Sequence, residues 1–264
     1  MGRLIPVAAA LAACLWAQPV AVRQPEGEVR GFLVLRGEDG AFVANGDSMQ
    51  TVRNGKLVYR AVYRFKDGSL QDETTIFTQS GHFRVLSDHL IQKGPLFKHP
   101  IDMTVNAGTG EVTVLHTDDK GVQKTENAHM KLPTDLANGI VPILLKNLAP
   151  GTASITESMV VASPKPMLIK LQIRSEGEDS FTTGSLGRKA TRYTVHVDIG
   201  GVKGAVANAI GKEPPDTQVW ILGGECPTFL RAEGPTFDGG PIWSTELVSP
   251  IFPKGSDAAT REKK

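Results

Sequence analysis

From Leu57 to Phe65 the chain alternates strictly: Leu57, Tyr59, Ala61, Tyr63 and Phe65 share one face, and Arg60 and Arg64 lie on the other. That period of two is the mark of a half-buried strand. The pattern recurs downstream. Met167, Ile169, Leu171 and Ile173 oppose Lys170, Gln172 and Arg174, and Tyr193, Val195, Val197 and Ile199 oppose Arg192, Thr194, His196 and Asp198. Further strands are predicted over 29–36, 70–79, 83–92, 101–105, 112–115, 122–130 and 154–162. Between them stand turn signals such as Asp67-Gly68, Ser80-Gly81, Gly108 to Gly110 and Asp118 to Gly121. Asp-Gly supplies the positive φ that a tight hairpin needs. Short strands at regular spacing predict a sandwich or barrel.

The meander over Glu213–Trp243 is read as the closing element. Val219 to Leu222 is a short buried strand stopped by Gly223-Gly224, Thr228 to Glu233 is its return partner, and Ile242 to Val248 follows the turn at Asp238 to Pro241. Its two indoles are expected to behave differently, with Trp220→Ala costing about 3–5 kcal/mol as a core truncation and Trp243→Ala less if Trp243 faces the cavity. Helical signals are confined to two stretches. Pro133 and Asp135 suit a helix start, and Leu136, Ile140, Ile143, Leu144 and Leu148 form one apolar stripe, so a helix over 133–148 is expected, kinked at Pro142 and lying on the sheet. A second, short helix is expected over 203–210.

The N-terminus changes the picture of where the protein works. Arg3 followed by the apolar run Leu4 to Trp16 is too short for a membrane span and reads as an export signal over 1–17. Two processing routes are open: cleavage after Ala17, or acylation of Cys14 in the lipobox-like Leu11-Ala12-Ala13-Cys14, which would give a lipid anchor at Cys14. A leader with a first strand (18–44), a β-rich half-barrel domain (45–252) and a disordered charged tail (253–264) follow. No other apolar run is long enough to span a membrane. The expected location is the periplasm or the exterior, or the outer membrane if Cys14 is acylated. Charge is balanced, with 29 Lys+Arg against 28 Asp+Glu, so nothing points to a nucleic-acid partner. With Cys14 removed or acylated, Cys226 has no intramolecular disulfide partner, and it is read as a small buried residue beside Trp220.

Candidate chemistry is sparse. None of the six His falls at metal-ligand spacing. Asp88-His89 invites a general-base reading, but adjacent strand residues face opposite ways. Gly184 to Gly187 lacks the spacing of a nucleophile elbow. Gly211-Lys212 lacks the residues of a phosphate loop. Asp102, Asp118 and Asp119 lack a calcium-ligand ladder. A hydrolase would draw on Asp88, His89 and Glu225, which share no motif. The remaining candidates are apolar and aromatic: Tyr59, Tyr63, Met103, Met167, Trp220 and Trp243, read either as ordinary core or as the lining of an apolar ligand cavity.

The β-meander with its central helix and closing Trp-containing strands resembles the half-open barrel of the LolA/LolB lipoprotein-carrier superfamily. The segments DHLIQKGPLF, LPTDLANGI, GKEPPDTQVWILGGECPTF and GGPIW are similar to an uncharacterised family of bacterial secreted proteins, over most of 45–250. The resemblance implies a curved antiparallel sheet that holds acyl chains in its concavity. The expected fold is mainly β: one curved antiparallel sheet forming a half-open barrel, one central helix packed on it, and a short second helix. The expected function is non-catalytic binding of a hydrophobic small molecule or lipid, with no cofactor and no metal. The alternative is a structural or interaction protein of the envelope with a filled core.

Overall fold

A computed structural model describes residues 19–183, 185–200 and 213–249. The expected export signal, tail and second helix lie outside the described residues.

Among the described residues fourteen strands form one antiparallel sheet: β1 (Val29–Arg36), β2 (Phe42–Arg53), β3 (Lys56–Phe65), β4 (Leu70–Thr78), β5 (Arg84–Lys93), β6 (Ile101–Asn106), β7 (Glu111–Thr117), β8 (Gln123–His129), β9 (Ser154–Val161), β10 (Met167–Thr183), β11 (Leu186–Asp198), β12 (Thr217–Leu222), β13 (Thr228–Pro235) and β14 (Ile242–Val248). The order is β8-β7-β6-β5-β4-β3-β2-β1-β14-β13-β12-β11-β10-β9. The sheet is therefore two sequence-local meanders joined at its centre by β1 and β14, with β8 and β9 as unclosed edges. Strands from opposite ends of this order share one apolar cluster: Met103, Val105, Val112 and Val114 from β6 and β7 lie with Ile169, Leu171, Ile173 and Val195 from β10 and β11. Only a sheet that curls on itself brings those faces together, so it has a concave interior.

The segment expected as a leader is part of this architecture. β1 is hydrogen-bonded on both sides, to β2 and to β14. Residues 20–22 run antiparallel to 81–83, with bonds from Val22 N–H to Gly81 O and from Phe83 N–H to Val20 O. The boundary expected at 45 falls inside β2, a strand that the hydrophobic pattern does not announce. Its small residues are there for space: a Cβ on Gly46 would sit 2.8 Å from Leu33 Cβ and from the Tyr63 ring.

The expected helix is much shorter than its stripe. Only Val141–Lys146 (α1) is helical, and Pro142 stands in its first turn, where a missing N–H costs nothing, so it starts the helix instead of kinking it. The stripe residues Leu136, Ile140, Ile143 and Leu144 are nonetheless buried. α1 lies inside the curl, in the same cluster as strands from both halves. Ahead of it, residues 135–138 strap the edge of β9. Ala137 N–H donates to Ser158 O, Ser158 N–H donates to Asp135 O, and the Asn138 amide bonds both the C=O and the N–H of Val160 at 2.9 Å. A side chain thus continues the ladder where main chain stops.

Candidate functional site

Register places a polar section on the concave face of β2 to β5. In β3, Tyr59, Ala61 and Tyr63 point inward, opposite Thr75, Glu73 and Gln71 of β4. Glu73, Thr75 and Gln71 in turn oppose Leu90, Asp88 and Gln92 of β5. On the other side Ala61 faces Ser48, which faces Gly31, so a row of small side chains leads up to Glu73.

This section separates two apolar clusters. One is the large core around α1. The other is a nest of rings, where Trp243 lies 5.4 Å from Phe65 and 5.8 Å from Phe237, and Phe97 lies 6.0 Å from Phe65 and 5.0 Å from Phe237.

The electrostatics of the polar section are unusual. Asp88 is 1% exposed; Thr75 Oγ1 donates to its Oδ1 at 2.6 Å, while Oδ2 has no hydrogen-bond partner. Burial raises its carboxyl to about 6, against the opposing hydrogen bond from Thr75. Burial and then the charge of Asp88 push Glu73 up to about 8. Among the described residues no Lys or Arg pairs with either acid. Burial also holds the phenols of Tyr59 and Tyr63 well above their usual range, with Glu73 adding to both. Yet Tyr59, Tyr63 and Glu73 are only partly buried by accessible surface. They are deep and still reachable, as side chains lining an internal recess would be. Beyond Tyr59, Lys146 of α1 pairs with Glu26 at 2.7 Å, and Gln50 Nε2 donates to Gly27 O at 2.7 Å.

Another buried acid sits under the strap. Glu157 is 1% exposed, Oε1 is without a partner, and burial followed by Asp135 raises it to about 8 against the pull of Lys170. Lys170 Nζ itself donates to Ser158 Oγ at 2.7 Å and to Asp135 Oδ2 at 3.2 Å.

The outer face carries a depression of about 440 Å³, lined by Met49, Arg53, Val58, Arg60, His89 and Ile91 among others. Its charges are largely paired: Arg60 forks onto Asp72, and His89 Nε2 lies 2.8 Å from Asp102 Oδ1.

The six candidate lining residues do not converge. Tyr59 and Tyr63 flank the polar section. Met103 is inside, 1% exposed in the large core. Met167 is half-buried at the start of β10. Trp243 is buried in the ring nest. Trp220 is on the opposite face from its buried neighbours Val219 and Ile221; it is half-buried, its indole N–H donates to Asp179 at 2.8 Å, and Arg231 lies over its ring at 5.5 Å. Trp220 therefore does not line the concavity. The four-residue run Val-Trp-Ile-Leu is apolar throughout, which hides the alternation that would have shown this. Cys226 is exposed, not buried beside Trp220, because it sits in the turn between β12 and β13. Asp88, His89 and Glu225 are kept apart: Asp88 is inside, His89 outside, and Glu225 exposed in that same turn. Sequence reasoning missed Glu73, Gln71 and Gln92, whose polarity reads as outward-facing. The parity of Asp88 and His89 was the available clue, since one of the two had to point in.

No protein-family model and no curated protein matches the chain. Among solved structures it is similar to a beta-barrel-like protein of domain of unknown function DUF1849 from Brucella abortus, at 10% sequence identity and a TM-score of 0.45, over 90% of this chain and 100% of that one.

Proposed function

We propose that the protein is an exported, non-catalytic binding protein that takes a small apolar or acyl ligand into the concavity of its curled sheet, between the two apolar clusters. The observation carrying this reading is the combination of depth and access at Tyr59, Tyr63 and Glu73, next to the small-residue row Gly31, Ser48 and Ala61. Ligand sites are apolar recesses with a few placed polar groups. Leu33, Ala61, Leu90 and the two tyrosines supply the first, and Glu73, Gln71 and Gln92 the second. Export is supported by the apolar run with its preceding Arg3 over 1–17.

Filling of the larger half of the curl by α1, with Ile143, Leu144 and Leu145 buried, favours a second reading, a structural envelope protein with a solid core. Native mass spectrometry on protein taken from its own compartment separates the two. The binding reading expects an added mass that organic extraction removes, and hydrophobic-dye binding that Ala61→Trp blocks. A pure apoprotein that binds no dye would refute it.

A further inference from the structure

We propose that the polar section is a site for an organic ammonium group, seated over Ala61 between Tyr59 and Tyr63 and facing the carboxylates of Glu73 and Asp88. This rests on the reading of the concavity as a binding site and names the head group that it accepts. Tyr59 and Tyr63 stand two positions to either side of Ala61 on one strand face, and Glu73 is the cross-strand partner of Ala61. Ala61 is the small residue between them, and the Tyr63 ring leans over Gly46 on the neighbouring strand. Aromatic faces attract cations, more strongly where water is excluded.

The charge pattern points the same way. Two acids are buried together, and although Thr75 bonds Asp88 Oδ1, its Oδ2 has no hydrogen-bond partner among the described residues. A buried carboxylate without a cation is unfavourable unless a proton neutralises it. An ammonium supplies the missing charge, whereas an anionic head would be repelled. The groups facing the pair are few. β3 presents Tyr59 and Tyr63. The N-terminal segment presents Glu26, which acts on Tyr59 and is bound to Lys146 of α1. β6 presents uncharged Met103 and Val105. The strap presents the Asn138 amide, whose hydrogen bond favours the Asp88 carboxylate, and Gly139, whose Cβ position lies 3.4 Å from Asp88 Oδ1. His89 acts from the outer face. Lys146, a largely buried cation of α1, is already neutralised by Glu26.

Isothermal titration of the full chain with octyltrimethylammonium, 1-octanol and octanoate tests the assignment. The ammonium is expected to bind about tenfold or more tighter than the alcohol, the scale of one desolvated cation–π contact plus an ion pair. Glu73→Gln, which keeps shape and removes the charge, should bring the two within about twofold. On the wild type, repeating the titration at neutral pH in buffers of different ionisation heat should show proton release as Glu73 ionises against the cation, a readout that needs no variant. Equal binding of alcohol and ammonium, preference for octanoate, or an unchanged preference in Glu73→Gln overturns the head-group assignment and leaves the concavity a binding site. Failure of all three probes to bind overturns both.

Discussion

The two tryptophans of the β12–β14 meander make opposite demands on the fold, and replacing each by alanine measures the difference. Trp243 is 7% exposed and packs against Phe65 and Phe237 in a ring of four aromatic side chains. Burying an indole removes about 150–250 Å² from water, a gross transfer term of about 4–6 kcal/mol at roughly 25 cal/mol per Å². Its two ring contacts add about 0.5–1.5 kcal/mol each. Partial collapse of Phe65 and Phe237 into the void returns some of this, so Trp243→Ala should destabilise by about 3–5 kcal/mol, the usual cost of truncating a core aromatic. Trp220 lies half-buried on the outer face, where only its hydrogen bond to Asp179 and its contact with Arg231 are lost. Partly exposed contacts of those kinds contribute about 0.5–1.5 kcal/mol each, so Trp220→Ala should cost about 1–2 kcal/mol. The order is the reverse of what the sequence pattern predicts. Paired urea melts with a common m-value decide it. If Trp220→Ala proves as costly as Trp243→Ala, the placement of the two faces of β12 is wrong.

Gly139 has φ +66°, and a Cβ there would collide with Thr75 Oγ1, so Gly139→Ala should destabilise by about 2–4 kcal/mol in thermal melts, combining backbone strain with overpacking. Asn138→Ala removes both bonds to the Val160 main chain and leaves two buried groups unpaired; a loss of about 2–4 kcal/mol is expected, with faster hydrogen exchange at the Val160 amide, and an unchanged amide would contradict the strap. Glu73, Glu157 and Asp88 all have folded-state values raised above their ordinary range, so the native state binds more protons than the unfolded one. Their contribution is fully present below pH of about 4 and is lost as pH rises towards about 8. The urea midpoint should therefore fall between those limits, and Glu157→Gln should flatten the profile; a midpoint that rises with pH through this range would refute it.

Most of the strands were legible in the sequence because one face of each is wet and the other dry, which imprints a period of two. β2 escaped because Asn45, Gly46, Asp47 and Ser48 have poor strand character; what makes them a strand is pairing with β1 and β3, whose side chains need the room that small residues leave. The outer parts of β10 and β11, Glu176 to Thr183 and Leu186 to Thr191, were also silent, since mostly polar residues and glycines occupy both faces there. Pro142 was legible as helix punctuation but ambiguous in sense, because the same ring stops one turn and starts another. Of the polar section, the tyrosines were visible through their alternation, whereas Glu73 was not: a carboxylate on an inward position contradicts the pattern, and only its cross-strand partners reveal which way it points.

The meeting of β1 and β14 at the middle of the sheet has a consequence for how the chain reaches this state. Leu33 and Leu247 are in register although about 210 positions separate them in sequence. Every other strand pair joins neighbours along the chain, so two stacks of strands can form by sequence-local steps. The seam between them has to wait until the last strand is available and then close the longest loop in the molecule. It is the step expected to limit the folding rate, and until it closes β1 leaves one edge unpaired in the middle of the future sheet.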